Sequence, residues 1–126
     1  MGCDIHGRVE RKVGNKWVAE RELTELGALR NYERFAKLAG VRGDGPEARG
    51  MPIDISDTAR LHLESWGVDV HSCSYLPLGE AAGVFLATTF GLTDWQRQYS
   101  TDTFFGVSID GSDSRHERRL VFWFDN

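Results

Sequence analysis

Residues 3–13, CDIHGRVERKV, alternate in character: Cys3, Ile5, Gly7 and Val9 fall on one side, and Asp4, His6, Arg8 and Glu10 on the other. A period of two belongs to an extended chain with one buried face. This stretch predicts a β-strand, and a strand obliges the rest of the chain to supply partners. Gly14 and Asn15 give a turn signal directly after it, so KWVAERELT can return as the second strand of a hairpin. At the other end TFFGVSI, a DGSDS turn and RHERRLVFWF read as a second hairpin.

Between the hairpins the pattern is helical. Asn31 can cap a helix over NYERFAKLA, with Tyr32, Phe35, Ala36 and Ala39 as its stripe and Gly40 at its stop. Residues 41–52, VRGDGPEARGMP, carry the Gly and Pro of a long loop. Asp54 or Ser56 can cap DTARLHLESW, which Gly67 ends. GVDVHSCSY reads as strand or loop, and Pro77 can open a third helix that Gly91 closes, its small and apolar content marking it as the most buried. The expectation is an α+β fold: one domain over residues 1–126, in which an antiparallel sheet of about four strands, from N-terminal and C-terminal hairpins, packs on three helices.

Composition narrows the function classes. No apolar run approaches the roughly 18 residues of a membrane helix, and Asp4 interrupts any cationic leader, so a soluble protein of the cytoplasm is expected. Two cysteines, Cys3 and Cys73, are too few for a disulfide scaffold. A formal charge of −4 argues against bulk nucleic-acid binding, which rests on neutralising phosphates. Residues 26–50 run against this balance, with Arg30, Arg34, Lys37, Arg42 and Arg49 against Glu33, Asp44 and Glu47. A local site for a small anion fits there.

Three constellations carry chemistry. On the first strand Asp4 and His6 share a face about 7 Å apart, which suits two ligands of one metal or a base with its orienting carboxylate; a solvent-facing polar stripe is the alternative. The D-x-H-G string opens metallophosphoesterases of the calcineurin type, but no apolar strand precedes it here and no G-N-H-[ED] block follows. If DVHSCS lies beside the first strand, Asp69 and His71 join Asp4 and His6, and the set could hold a divalent metal through Asp4, His6 and His71, or run acid and base chemistry. Zinc on Cys3, His6, His71 and Cys73 is opposed by the alternation, which sends Cys3 and His6 to opposite faces. The third group is Arg30, Arg42 and Arg49, whose guanidinium forks suit phosphate, with Gly43, Gly45 and Gly50 leaving backbone N–H groups approachable. His62 and His116 stand among charges and are expected at the surface, and Arg118 and Arg119 are expected to keep a sheet edge soluble.

The blocks MGCDIHG, RNYERFAKLAGVR, ARGMPIDIS, DVHSCSYL followed by Glu80, and RLVFWFDN together resemble a family of small proteins of tailed bacteriophages and prophages that begin M-x-C-D-I-H and end V-F-W-F-D-N. The resemblance covers nearly the whole chain. In that pattern the loop reads V-R-N where this chain has Val41-Arg42-Gly43, and Cys73 is not a fixed member, which weakens zinc further. The resemblance brings no activity with it; it implies a bacterial host cytoplasm and a role accessory to replication or to evading host defence.

Three functions share these residues. One is capture of a small phosphate-bearing ligand such as a nucleotide signal by Arg30, Tyr32, Arg42, Arg49, His71, Ser72 and Ser74. A second is a metal-dependent phosphodiester or nucleotide hydrolase built on Asp4, His6, Asp69 and His71. The third is an inhibitor that binds a host protein through an exposed patch, as a homo-oligomer in one version.

Overall fold

A computed structural model of the chain describes residues 2–89, 101–107 and 116–126. The opening alternation becomes β1 (Asp4–Val13), which turns through Gly14, at φ 60°, into β2 (Lys16–Glu22). On its other side β1 pairs with β4 (Arg118–Asp125), from Asp4 opposite Asp125 to Arg11 opposite Arg118. β3 (Val70–Pro77) takes the far edge of β4, so four antiparallel strands lie in the order β2-β1-β4-β3.

The central place of β4 explains its composition. A strand covered on both faces reads as a continuous apolar run, and residues 119–124 are all buried. One face carries Ile5, Val9, Leu76, Leu120, Phe122 and Phe124 into the main core. The other carries His6, Arg8, Glu10, Arg119 and Trp123 beneath a second layer.

Helix α1 (Tyr32–Ala39) begins where Asn31 accepts a hydrogen bond from the Arg34 N–H and stops at Gly40, whose φ of 70° the absence of a Cβ permits. Phe35, Ala36 and Ala39 of the expected stripe are buried and are joined by Arg34 and Leu38, whereas Tyr32 stays exposed. Helix α2 (Asp57–Glu64) is capped by Ser56, not Asp54, and lies over the other face of the sheet, where the His62 ring meets Trp123 edge-on at 4.9 Å. Helix α3 (Leu78–Ala87) follows β3 directly through Pro77. It buries Leu78, Ala81, Ala82 and Phe85 but leaves Gly79, Glu80 and Gly83 outside, so α1 is the more deeply buried of the two. Gly91 lies outside the described residues.

The sheet has the expected four strands, but β4 is not half of a C-terminal hairpin. Thr101–Phe105 form a fourth short helix, α4, where a strand over TFFGVSI was expected. Alternation would have sent Phe104 and Phe105 to opposite faces, whereas both are fully buried and pack on Phe85, with ring centroids 5.5 and 4.9 Å away. Both edges of β4 are already taken by β1 and β3. The DGSDS turn lies outside the described residues. Arg118 and Arg119 therefore guard no edge: Arg119 is buried, its Nε donating to Glu10 at 2.7 Å.

Candidate functional site

The sheet itself separates the imidazoles near residues 6 and 71. His6 is in register with Trp123 and His71 with Phe124, its neighbour along β4, so the two rings point to opposite faces. His6 Nε2 is 2.9 Å from Asp125 Oδ1, and its ring stacks on Trp66 at 3.8 Å. His71 Nε2 meets the Asn126 side-chain oxygen and lies 3.8 Å from the Cys3 sulfur, and Nδ1 is 3.0 Å from Ser72 Oγ. Asp4 is held by Arg30, whose Nε and Nη2 donate to its two oxygens at 2.8 and 3.2 Å, and Asp69 stands exposed in a 3-10 turn, Gly67–Asp69. Asp4, His6, Asp69 and His71 thus do not form one pocket, and the metal set Asp4, His6 and His71 is not brought together. Among the described residues no group of three or more His, Cys, Asp and Glu side chains could hold a metal ion.

Part of the expected binding set does gather, around Cys3 at one end of the sheet. The Cys3 N–H donates to the Tyr32 hydroxyl at 3.3 Å, the Arg42 guanidinium lies 4.8 Å from the Tyr32 ring, and His71 and Ser72 close the other side. Arg42 and Ser72 both have left-handed backbone, at φ 54° and 55°. Ser72 sits in a bulge of β3 between His71 and Ser74, which sets where His71 points. Charge at this end is largely internal. Arg30 holds the Asp4 carboxyl below its ordinary range, and burial pushes the Cys3 thiol up, away from a reactive thiolate.

Arg49 and Ser74 belong elsewhere. The Arg49 N–H donates to Ser74 Oγ at 3.0 Å and the Gly50 N–H to the Cys73 carbonyl at 2.8 Å, so this loop covers the edge of β3. The Arg49 guanidinium reaches Glu80 at 3.8 Å, on the rim of an apolar groove of about 420 Å³ between α1, α3 and the loop. Lys37 and Glu47 also line that groove, so its charges balance. The loop glycines serve packing: a Cβ on Gly45 would stand 1.8 Å from the Ala36 carbonyl oxygen, and one on Gly43 3.0 Å from the Ala36 Cβ.

Arg34 belongs to the cationic window of residues 26–50 but stands outside the expected binding set. It is 4% exposed, and no carboxylate among the described residues pairs with it. Its Nε donates to Thr88 Oγ1 at 2.8 Å, and Nη2 donates to the Phe85 carbonyl and to Thr89 Oγ1, both at 3.1 Å. The guanidinium lies 4.4 Å from the Phe85 ring and 5.4 Å from that of Phe104. Burial lowers its pKa to about 10, which leaves it cationic at neutral pH. Arg34 lines a cavity of about 180 Å³ together with Leu26, Leu29, Asn31, Thr88 and Thr89, while Arg30 and Phe104 complete the wall. The signal lay in the helical spacing: Arg34 is one turn before Leu38, on the inward side.

Comparison of the chain with protein-family models, with curated proteins and with solved structures finds no match.

Proposed function

We propose that the protein binds a small anionic ligand, of the kind a nucleotide phosphate offers, in the Arg34 cavity and releases it unchanged. The observation that carries this reading is a buried guanidinium with no carboxylate partner among the described residues. Burying a cation is costly unless it is paired. The C-terminal end of α3 supplies about half an opposing charge through the Phe85 carbonyl, and the two aromatic faces add to it. The remaining positive potential is directed into the cavity, where an anion would complete the compensation.

The lining also argues for capture over catalysis. Thr, Asn, Arg, Leu and Phe side chains line the space, and among the described residues no carboxylate, imidazole or thiol forms part of its wall. The resemblance to tailed-phage proteins makes a host nucleotide signal a fitting cargo, met in a bacterial cytoplasm.

The test is calorimetric titration of the full chain with a cyclic nucleoside monophosphate and with a nucleoside 5′-monophosphate, followed by chromatography of the recovered ligand. Saturable binding of either, return of the ligand intact, and loss of binding in Arg34→Met support the reading. Turnover of the ligand, or unchanged binding in a folded Arg34→Met variant, rules it out.

A further inference from the structure

Building on that reading, we infer that the ligand carries a single negative charge, as one carboxylate or one phosphodiester, on an uncharged apolar body. The head would lie at Arg34 and the body along Leu26 and Leu29.

Hydrogen-bond donors set the head. Thr88 Oγ1 accepts from Arg34 Nε and lies 2.8 Å from the Val84 carbonyl, to which its hydrogen goes; Thr89 Oγ1 accepts from Nη2 and donates to the Phe85 carbonyl at 2.9 Å. Asn31 Nδ2 donates to the Thr88 carbonyl at 2.9 Å, and Asn31 Oδ1 caps α1. The guanidinium nitrogen left for a ligand is Nη1, which has no hydrogen-bond partner among the described residues and carries two N–H groups. The two N–H groups diverge from one nitrogen, so Nη1 serves one oxygen of a bound head group. A carboxylate or a phosphodiester then leaves one terminal oxygen without a donor, and a phosphate monoester dianion leaves two.

Charge gives the same answer. Arg30, the other cation in the wall, is already neutralised by Asp4. The cavity can compensate one negative charge, and only in part beyond what α3 already does.

Size and the neighbouring surface set the body. About 180 Å³ is below the roughly 300 Å³ at which drug-sized ligand sites begin, so the cavity holds a head group. A second, open cavity of about 400 Å³ shares Leu26 and Leu29 with the first and continues to Thr24, Glu25 and Thr103. Glu25 would repel a second negative charge there, and the leucines offer an apolar wall.

The test uses the full chain at pH 8 and three probes of similar body: benzoate, methyl phenyl phosphate and phenyl phosphate, the last a dianion. Calorimetry should show benzoate, methyl phenyl phosphate or both binding about tenfold more tightly than phenyl phosphate, the effect of one unsatisfied acceptor. Arg34→Met should abolish that binding. Leu29→Glu, at a half-exposed position on the shared wall, should weaken it about tenfold by adding a like charge. Phenyl phosphate binding as tightly as the monoanions, or an unchanged affinity in Leu29→Glu, would overturn the inference while anion capture at Arg34 stands. No binding by any probe, or full binding in a folded Arg34→Met variant, would remove both. If Arg34→Met does not fold by near-ultraviolet circular dichroism, Leu29→Glu decides.

Discussion

Glu10 and Arg119 face each other across β1 and β4 with Nε 2.7 Å from Oε1, and neither side chain reaches solvent appreciably. The pair joins two layers. The other Glu10 oxygen accepts from the Ser56 N–H at 2.7 Å, and Arg119 Nη1 donates to Asp54 at 3.1 Å while its guanidinium lies 4.0 Å from the Trp17 ring. Glu10 and Arg119 thus fix the start of α2 to the middle of the sheet, in a network whose polar groups satisfy one another.

Removing one member should therefore be worse than removing both charges. Glu10→Ala is expected to lower unfolding stability by about 3 kcal/mol, since it strands a buried guanidinium that keeps only Asp54. Glu10→Leu with Arg119→Met should cost less, because the main unpaired group is then the Ser56 N–H, at roughly 1–3 kcal/mol. Urea unfolding of the three proteins measures this; a double variant no more stable than Glu10→Ala would refute it.

How far the sequence revealed this molecule depends on how local each signal is. The period-2 run of β1, the Gly14 turn, the Asn31 cap with its Gly40 stop and the Ser56 cap are set within a few residues, and all stand where local chemistry placed them. Strand neighbours are long-range. RLVFWF is equally compatible with a hairpin and with a central strand, and only the joint pairing with β1 and β3 decides. The site failed for the same reason: His6 and His71 each look like ligands, but their relation depends on Trp123 and Phe124, more than 50 residues further along the chain. Arg34 reads in the sequence as one charge of the basic window over residues 26–50, off the stripe drawn through Tyr32. A wider stripe that keeps Phe35, Ala36 and Ala39 takes in Arg34 and Leu38.

His62, expected at the surface, is instead packed on Trp123, and this should make stability pH-dependent. Burial lowers its pKa, and Nδ1 accepts a hydrogen bond from Arg8 Nε at 3.2 Å, which requires an unprotonated nitrogen. The folded state thus binds the proton less readily than the unfolded one. Full stability is expected above the ordinary histidine value near 6.5, falling as pH drops from there through the lowered folded value. His62→Gln should flatten that part of the profile. Urea midpoints between pH 5 and 7.5, with the His62 ring titration followed by NMR, would show it; equal slopes in both proteins would contradict it.

Ser72 combines strain with a contact. Its φ of 55° costs a residue with a Cβ roughly 1 kcal/mol, and its hydroxyl lies 3.0 Å from His71 Nδ1. Ser72→Ala loses only the contact, whereas Ser72→Gly loses the contact and relieves the backbone. Ser72→Gly should therefore be the more stable of the two by about 1 kcal/mol, less a few tenths for the greater freedom of Gly in the unfolded chain. Equilibrium denaturation checks this, and an Ala variant at least as stable as the Gly variant would mean that the bulge holds Ser72 without strain.

Gly45 is the position where the long loop can tolerate least. Its φ lies outside the left-handed region, so its need for glycine is one of space, since a Cβ there would fall 1.8 Å from the Ala36 carbonyl oxygen and 2.7 Å from its carbon. These are backbone atoms of α1, which cannot rotate away as a side chain would. Gly45→Ala should therefore push the loop off the helix and cost about 1–3 kcal/mol. Gly50 differs in kind, because a Cβ there meets nothing within 4 Å and the constraint is its φ of 81°. Gly50→Asn, a residue that accepts left-handed backbone, should be tolerated with a loss under about 1 kcal/mol, whereas Gly45→Asn should fare no better than Gly45→Ala. Chemical denaturation of the three variants separates steric from conformational demand. Equal losses for the two Asn substitutions would show that the loop is not seated on α1 as described.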